Sequence, residues 1–433
     1  KQLKFAKQNP ELAKAAMAAI VAARTQVDTT TTQTPAPAPA PASTHTFDQI
    51  ISEIIEHERL RVDSRENGIK VSTFRDKLPR LEFWKCVLSS LSPSSIDRAK
   101  IKTIRKTLMN LPAKAKISHG LSSNEAYELA KSRHTLKVIS ATTFNHYGRE
   151  FKAILEYCFQ EGIHDSNLVA FFTLRSDKVK ESIKFPFSDS DMATLTNPAK
   201  FKPMLGNDNK STPLIAKFWI PVIAAYSGMR LEEIAQLTPE DIITDPETGI
   251  EYFNLIDGTR ADGNRQEIKN DNSRRAVPIH SKLYEMGISE FIVGRRKLPK
   301  SNLFGLSLMT GNNQYGRNIT KWFSIKANSE NRKGYIEKLG IISTGVNRDG
   351  MPWSKSFHSL RHTVIDNLRG KSLPSGQRIG EAEIGLVAGH TELVDGRKLE
   401  TSNYGVGKMQ LKLRHEIVEQ ICYSASLIAT PEY

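Results

Sequence analysis

Phe357 to Leu368, FHSLRHTVIDNL, sets two histidines four residues apart with an arginine between them. Three readings compete for it: a metal site, a phosphate site, or merely a helix. At about 100° per residue, Phe357, Leu360, Val364 and Leu368 fall on one apolar stripe, with Arg361 and His358 at its edge and His362 just beyond. A helix so patterned is anchored on a core and presents cationic donors at its rim. His358 and His362 have the spacing to share a zinc, but the metalloprotease helix carries glutamate straight after the first histidine, and here that position is Ser359. No third ligand stands out. Lone histidines are usually satisfied by ordinary hydrogen bonds, so the stretch alone does not decide, and its companions along the chain must.

The bulk properties narrow those companions. A chain of 433 residues, 39% hydrophobic and 25% charged, is long enough for two or three domains with substantial cores. Lys and Arg outnumber Asp and Glu by 61 to 47, a formal charge of +14 that suits a polyanion such as nucleic acid or an anionic membrane surface. Cys86, Cys158 and Cys422 are far apart and odd in number, which gives neither a disulfide framework nor CxxC metal spacing and points to a reducing cytoplasm. The longest apolar run, FWIPVIAAYSGM at 218–229, is too short for a membrane span. The Ala-rich stretch 15–23 follows a mixed-charge segment and is not expected to act as a signal core.

The organisation along the chain is expected as follows. Residues 1–27 form a basic, Ala-rich helix, and 28–44, containing TTTTQTPAPAPAPAS, a semi-rigid linker. Residues 45–178 carry helical runs such as FDQIISEIIEHERLRV and IDRAKIKTIRKTLMNL and make a small helical domain. Its cations, among them Lys100, Lys102, Arg105, Lys106, Lys114 and Lys116, suit a DNA backbone or simply a solvated face. A polar segment at 179–186 precedes a domain at 187–433 that opens on FSDSDMATL with Ser and Asp at capping positions. There an apolar helix follows Thr212-Pro213 and ends near Gly228, and Thr238-Pro239 opens another helix. GIEYFNLID and RRAVPIH read as strands framing the turn-rich GTRADGNRQEIKNDNS, and the pattern returns to helices after Ser301.

The companions of HSLRH are SGMRLEEIAQL with Arg230, KNDNSRRAVPIH with Lys269, LVAGH with His390 and SNYGVG with Tyr404. Taken together and in this order they resemble the catalytic domain of the tyrosine recombinase, or phage integrase, family, over roughly 185–425. Region 45–178 looks like that family's helical core-binding domain. The resemblance implies a mainly α fold with a small antiparallel β-sheet: a helical DNA-binding domain and a mixed α/β catalytic domain with a C-terminal helix and tail. It also implies an enzyme that cuts and rejoins DNA through a 3′-phosphotyrosyl intermediate and integrates or excises a mobile element. Double-stranded DNA is the implied partner, with self-association into a synaptic tetramer, accessory bending or directionality proteins, and a cytoplasmic, nucleoid-associated location. A type IB topoisomerase and a catalytically inactive DNA-binding regulator of the same fold are the alternatives.

The implied roles agree with elementary chemistry. Attack on a phosphodiester adds charge to its nonbridging oxygens, and arginine forks such as Arg230 and Arg361 can hold two oxygens at once. His358 and His390 can donate to the same phosphate or take the phenolic proton. Lys269, in the turn between strands, can protonate the 5′ leaving oxygen, with Lys282, Arg274 and Arg275 as poorer alternatives. Tyr404 competes with Tyr423 and Tyr433 as nucleophile, and the glycines of YGVG favour it. The thirteen-residue segment TELVDGRKLETSN makes its spacing from His390 long for the family. Glu233, one turn after Arg230, either orients it through an ion pair or forms an exposed helix pair. If the arginines supply the charge, no metal and no nucleotide cofactor is needed.

Overall fold

Apolar residues at three- and four-residue spacing, with capping side chains opening most of the runs, build the first part of the chain. The structure, a computed structural model, describes residues 45–62, 68–164, 166–175, 183–197, 206–256, 258–259, 265–266, 274–298, 302–308, 314–324, 333–389, 393–394, 397–398 and 408–423. The expected N-terminal helix 1–27 and the whole of the linker 28–44 fall outside these, as do residues 179–182 of the polar segment. The chain divides into two compact units, residues 1–175 and 176–433.

The first unit is helical: α1 (Phe47–Leu60), α2 (Val71–Leu88), α3 (Arg98–Met109), α4 (Ala115–His119), α5 (Ser123–Lys131) and α6 (Ala141–Gln160). Thr46, Asp97, Ser122 and Ser140 cap four of these helices by accepting from the amide three residues on. The apolar faces meet around Phe47, Ile50, Trp84, Phe144, Phe151 and Phe172, all fully buried. Burying each such side chain contributes about 1.5–3 kcal/mol.

The second unit mixes helices with short strands, so the whole chain is mainly α with small sheets. Its elements are β1 (Ile183–Lys184), α7 (Asp189–Leu195), α8 (Leu214–Ser227), α9 (Leu231–Ala235), β2 (Ile242–Thr244), β3 (Glu251–Leu255), β4 (Gly258–Thr259), β5 (Arg265–Gln266) and β6 (Arg275–Pro278), then α10 (Ser281–Glu285), α11 (Ile288–Arg296), α12 (Arg317–Ser324), α13 (Tyr335–Lys338), β7 (Thr344–Val346), β8 (Pro352–Ser354), α14 (Phe357–Leu368), α15 (Glu381–Ala388), β9 (Leu393–Val394), β10 (Arg397–Lys398) and α16 (Lys408–Val418). Helix α8 is apolar but for Lys217 and Ser227 and is buried from Ala216 to Ser227, which makes it the central element. It packs on α14, whose stripe Phe357, Leu360, Val364 and Leu368 is buried in the same core. The antiparallel sheet β2-β3-β6 turns Phe253, Leu255 and Val277 inward, with Phe253 opposite Val277.

Two expectations change. Thr238-Pro239 opens only a 3-10 turn, Pro239–Asp241, because the Asp241 carboxylate accepts from the Thr238 amide at 2.8 Å and Ile242 already enters β2. The region after Ser301 is not all helical: β7 and β8 form a hairpin to which β1 adds in parallel.

Candidate active site

The site is assembled where two helices stop at left-handed glycines. Helix α8 ends at Gly228 (φ 64°) and α15 at Gly389 (φ 64°), and both present their last carbonyls to arginines. Arg361, on the buried face of α14, donates from Nη1 to the Gly228 carbonyl at 2.8 Å. It is 2% exposed, and its Nη2 has no hydrogen-bond partner among the described residues. Arg361 therefore lies deeper than the rim position expected from the helical stripe, because the end of α8 closes over it.

Arg230 is the N-cap residue of α9, in extended conformation, and Glu233 lies at the third helical position. The Glu233 carboxylate accepts the Arg230 amide at 2.8 Å and its Nη1 at 2.6 Å. Arg230 Nη2 donates to the Gly389 carbonyl at 3.1 Å. Of the two readings of Glu233, the buried ion pair is the one found, since its side chain is 3% exposed.

A residue that sequence reasoning had weighed only as a poor general acid holds the other side of Glu233. Arg275, the first residue of β6, donates from Nη2 to Glu233 Oε2 at 2.9 Å, from Nη1 to Oε1 at 3.3 Å, and from Nε to the Val387 carbonyl at 2.8 Å. Burial pushes the Glu233 carboxyl up, but Arg275 and then Arg230 more than offset this and hold it down at about 2. Arg361 makes no ion pair with a carboxylate among the described residues: burial first, then the charges of Arg230 and Arg275, only partly offset by Glu233, lower its guanidinium to about 9. Arg414 on α16 is lowered to about 10 by burial and by Arg275, and its Nε lacks a partner among the described residues. Two guanidinium groups, Arg230 and Arg275, thus pair with the Glu233 carboxylate, and Arg361 and Arg414 add their charges nearby.

His358 lies exposed one turn before Arg361 on α14, its ring edge-on to that of His362 at 5.0 Å between centroids. Burial, then Arg361, Lys184 and Arg369, push the His362 imidazole below its ordinary value. Lys269, His390, Tyr404 and Tyr433 lie outside the described residues, so the structure brings together Arg230, Glu233 and Arg361, with His358 on the same helix as Arg361. The rival nucleophile Tyr423 donates its hydroxyl to the Ala225 carbonyl at 2.6 Å, and burial raises its phenol well above the ordinary range. That phenol is a packing group. Among the rival acids, Lys282 is paired with Glu285 at 2.7 Å, and the Arg275 side chain is only 1% exposed. The glycines of SGMR and LVAGH were the signal for the carbonyls of the site, each closing an apolar helix beside a candidate residue.

No family model matches the chain, and no curated protein matches it in sequence. Solved structures similar to it are integrases, the family its motifs resemble. The Tn1549 transposon integrase in complex with transposon right end DNA is 16% identical with a TM-score of 0.45, over 85% of this chain and 94% of that one. The integrase from mycobacterium phage Brujita is 13% identical with a TM-score of 0.31, over 88% and 94%. A lambda integrase dimer bound to a COC′ core site is 12% identical with a TM-score of 0.43, over 80% and 96%. These identities and scores are low, and what the chain does rests on its own residues.

Proposed function

We propose that this chain is a site-specific DNA recombinase that cleaves and rejoins strands through a covalent 3′-phosphotyrosyl intermediate, integrating or excising a mobile element. One observation carries the reading: the buried Arg361 has a donor, Nη2, without a partner among the described residues, and Arg230 and Arg275 add positive charge around it. A buried cation left so is stabilised by an anion, and the planar fork matches a phosphodiester.

In the proposed reaction Arg230 and Arg361 hold the nonbridging oxygens. The Tyr404 phenolic oxygen attacks phosphorus, its proton passing to His358 or His390, and the bond from phosphorus to the 5′ oxygen breaks as Lys269 supplies that oxygen with a proton. The phosphodiester is exchanged for a tyrosyl ester, so no nucleotide cofactor is consumed. The helical domain at 45–178 would clamp the duplex. Lys102, Lys106, Lys114 and Lys116 are exposed as that requires, whereas Arg105 is engaged by the Thr173 carbonyl at 2.7 Å. Assembly into a synaptic tetramer and help from accessory DNA-bending proteins belong to the same proposal. Incubation with a nicked duplex library, capture of covalent complexes and sequencing of the attached DNA tests chemistry and target together. Adducts formed by the intact chain and not by Tyr404→Phe are expected, and an adduct that persists in that variant moves the nucleophile elsewhere.

A further inference from the structure

We propose that Arg275 is the positioning residue of the site: through Glu233 and Gly389 it fixes the guanidinium of Arg230, and so governs cleavage without touching DNA. The inference rests on the reading of the site as one that cleaves a phosphodiester. It stands on geometry. The Arg275 side chain is 1% exposed, so substrate does not reach it. Its Nη1 and Nη2 take both oxygens of Glu233, at 3.3 and 2.9 Å, and its Nε takes the Val387 carbonyl at 2.8 Å. One planar group thereby joins β6, α9 and the end of α15.

Both groups that grip Arg230 depend on it. Glu233 receives the Arg230 amide and Nη1, and Gly389 receives its Nη2. Gly389 is also built against Arg275, since a Cβ there would lie 2.7 Å from Arg275 Nη1. The other carboxylate of α9, Glu232, faces away and accepts the amides of Tyr315 and Gly316 at 2.6 and 2.9 Å. Arg361 from α14 and Arg414 from α16 add only positive charge. Lysine has the charge of arginine but not its fork, and cannot span Glu233 and Val387 together.

The test uses the full chain with Arg275→Lys, Arg275→Met, Glu233→Gln and the double variant Arg275→Met/Glu233→Gln. Single-turnover cleavage and DNA affinity are measured across pH. Arg275→Lys should slow cleavage about 10–100-fold, the scale for a group that orients a site residue, with affinity changed less than about twofold. In Arg275→Met the buried Glu233 keeps its burial and loses its stronger cation, so it protonates at higher pH and cleavage falls as pH is lowered. A merely structural loss would be the same at every pH. Because Arg275 acts through Glu233, Arg275→Met should cost about tenfold less in the Glu233→Gln background.

Normal cleavage by Arg275→Lys, a loss independent of pH, or additive effects overturn the proposal. Should Arg275→Met not fold, Arg275→Lys decides. Should the wild-type chain form no covalent adduct, the recombinase reading fails separately, and infrared spectra then decide the positioning role. At mildly acidic pH a buried protonated carboxyl band should appear in Arg275→Met and be absent from the wild type and the double variant, and a missing band overturns it.

Discussion

The hydroxyl of Tyr423 donates to the carbonyl of Ala225 at 2.6 Å, tying the end of the described chain to the central helix α8. The segment after α16 is fastened at further points. Nδ1 of His280 accepts the Lys282 amide, so Nε2 carries the proton and donates to the Ile421 carbonyl at 2.8 Å. Asn367 donates to the Cys422 carbonyl at 2.8 Å, and Ser281 to Glu419 at 2.6 Å. Ile417, Val418 and Ile421 are buried in the same core. The described part of the C-terminal helix thus packs on its own unit.

Deleting residues 410–433 is therefore expected to destabilise the second unit by several kcal/mol, since each buried aliphatic side chain contributes about 1.5–3 kcal/mol. Tyr423→Phe should cost about 1 kcal/mol. Thermal melting of the free chain checks both, and binding to one DNA site should fall along with assembly on paired sites. A truncated chain that melts normally and fails only in assembly would show that the segment works on a neighbour.

Two glycines with nearly the same backbone angle should respond differently to alanine. Gly389 (φ 64°) would put a Cβ against the Arg275 guanidinium, whereas Gly249 (φ 70°) would meet nothing within 4 Å. Gly249→Ala should cost only the left-handed backbone penalty, about 1–2 kcal/mol, and leave cleavage unchanged. Gly389→Ala adds a clash in the ion-pair network and should lower cleavage at least about tenfold. Parallel melting and cleavage assays of the two variants check this.

The contrast also shows what the sequence could and could not convey. The apolar stripe Phe357, Leu360, Val364 and Leu368 follows from helical periodicity, and so do α8 with its glycine stop and the strands around Phe253 and Val277, because these are local patterns. The one-turn spacing singled out Glu233 as a partner of Arg230, but its pairing with Arg275 joins residues 42 apart in the chain, beyond the reach of any local rule. The depth of Arg361 was hidden for the same reason, since it depends on which element closes over the helix. The hairpin of β7 and β8 escaped because each strand is only three residues long and one begins with proline.

Glu233 should make the unit sensitive to acid. Its folded carboxyl sits at about 2, below its ordinary 4.5, so its stabilisation is fully present above about pH 4.5 and is lost as pH falls towards 2. That difference corresponds to about 3 kcal/mol. Glu233→Gln should be less stable than wild type by about this amount at neutral pH, and the two should converge as pH falls through that window. Urea denaturation across pH checks it, and a gap that stays constant with pH would assign the loss to packing.

Arg361 should be the group that binds an anion. Its Nη2 lacks a partner among the described residues, and burial and the charges of Arg230 and Arg275 destabilise its cation, which an anion relieves. Inorganic phosphate should raise the melting temperature of the wild type near pH 7.5. Arg361→Met should lose the phosphate effect, and Arg361→Lys, keeping charge without the fork, should retain a small part. Calorimetric titration of phosphate into the three proteins checks this, and equal binding by all three would place the anion elsewhere.

The roles proposed for Tyr404 and Lys269 separate by the chemistry of the leaving group. Tyr404→Phe keeps the ring and removes the attacking oxygen, so it should bind DNA normally and form no adduct. Lys269→Ala should also be slow, but because the 5′ oxygen must then depart unprotonated. An alcohol has a pKa near that of water, about 16, whereas a thiol lies near 8.5 and leaves readily as its anion. Replacing the bridging 5′ oxygen at the scissile phosphate with sulfur should therefore restore Lys269→Ala substantially. The same substrate should do nothing for Tyr404→Phe and little for Arg361→Ala, whose defect is in holding charge on the nonbridging oxygens. If sulfur rescues His358→Ala or His390→Ala and not Lys269→Ala, the proton comes from a histidine and the turn lysine has another task.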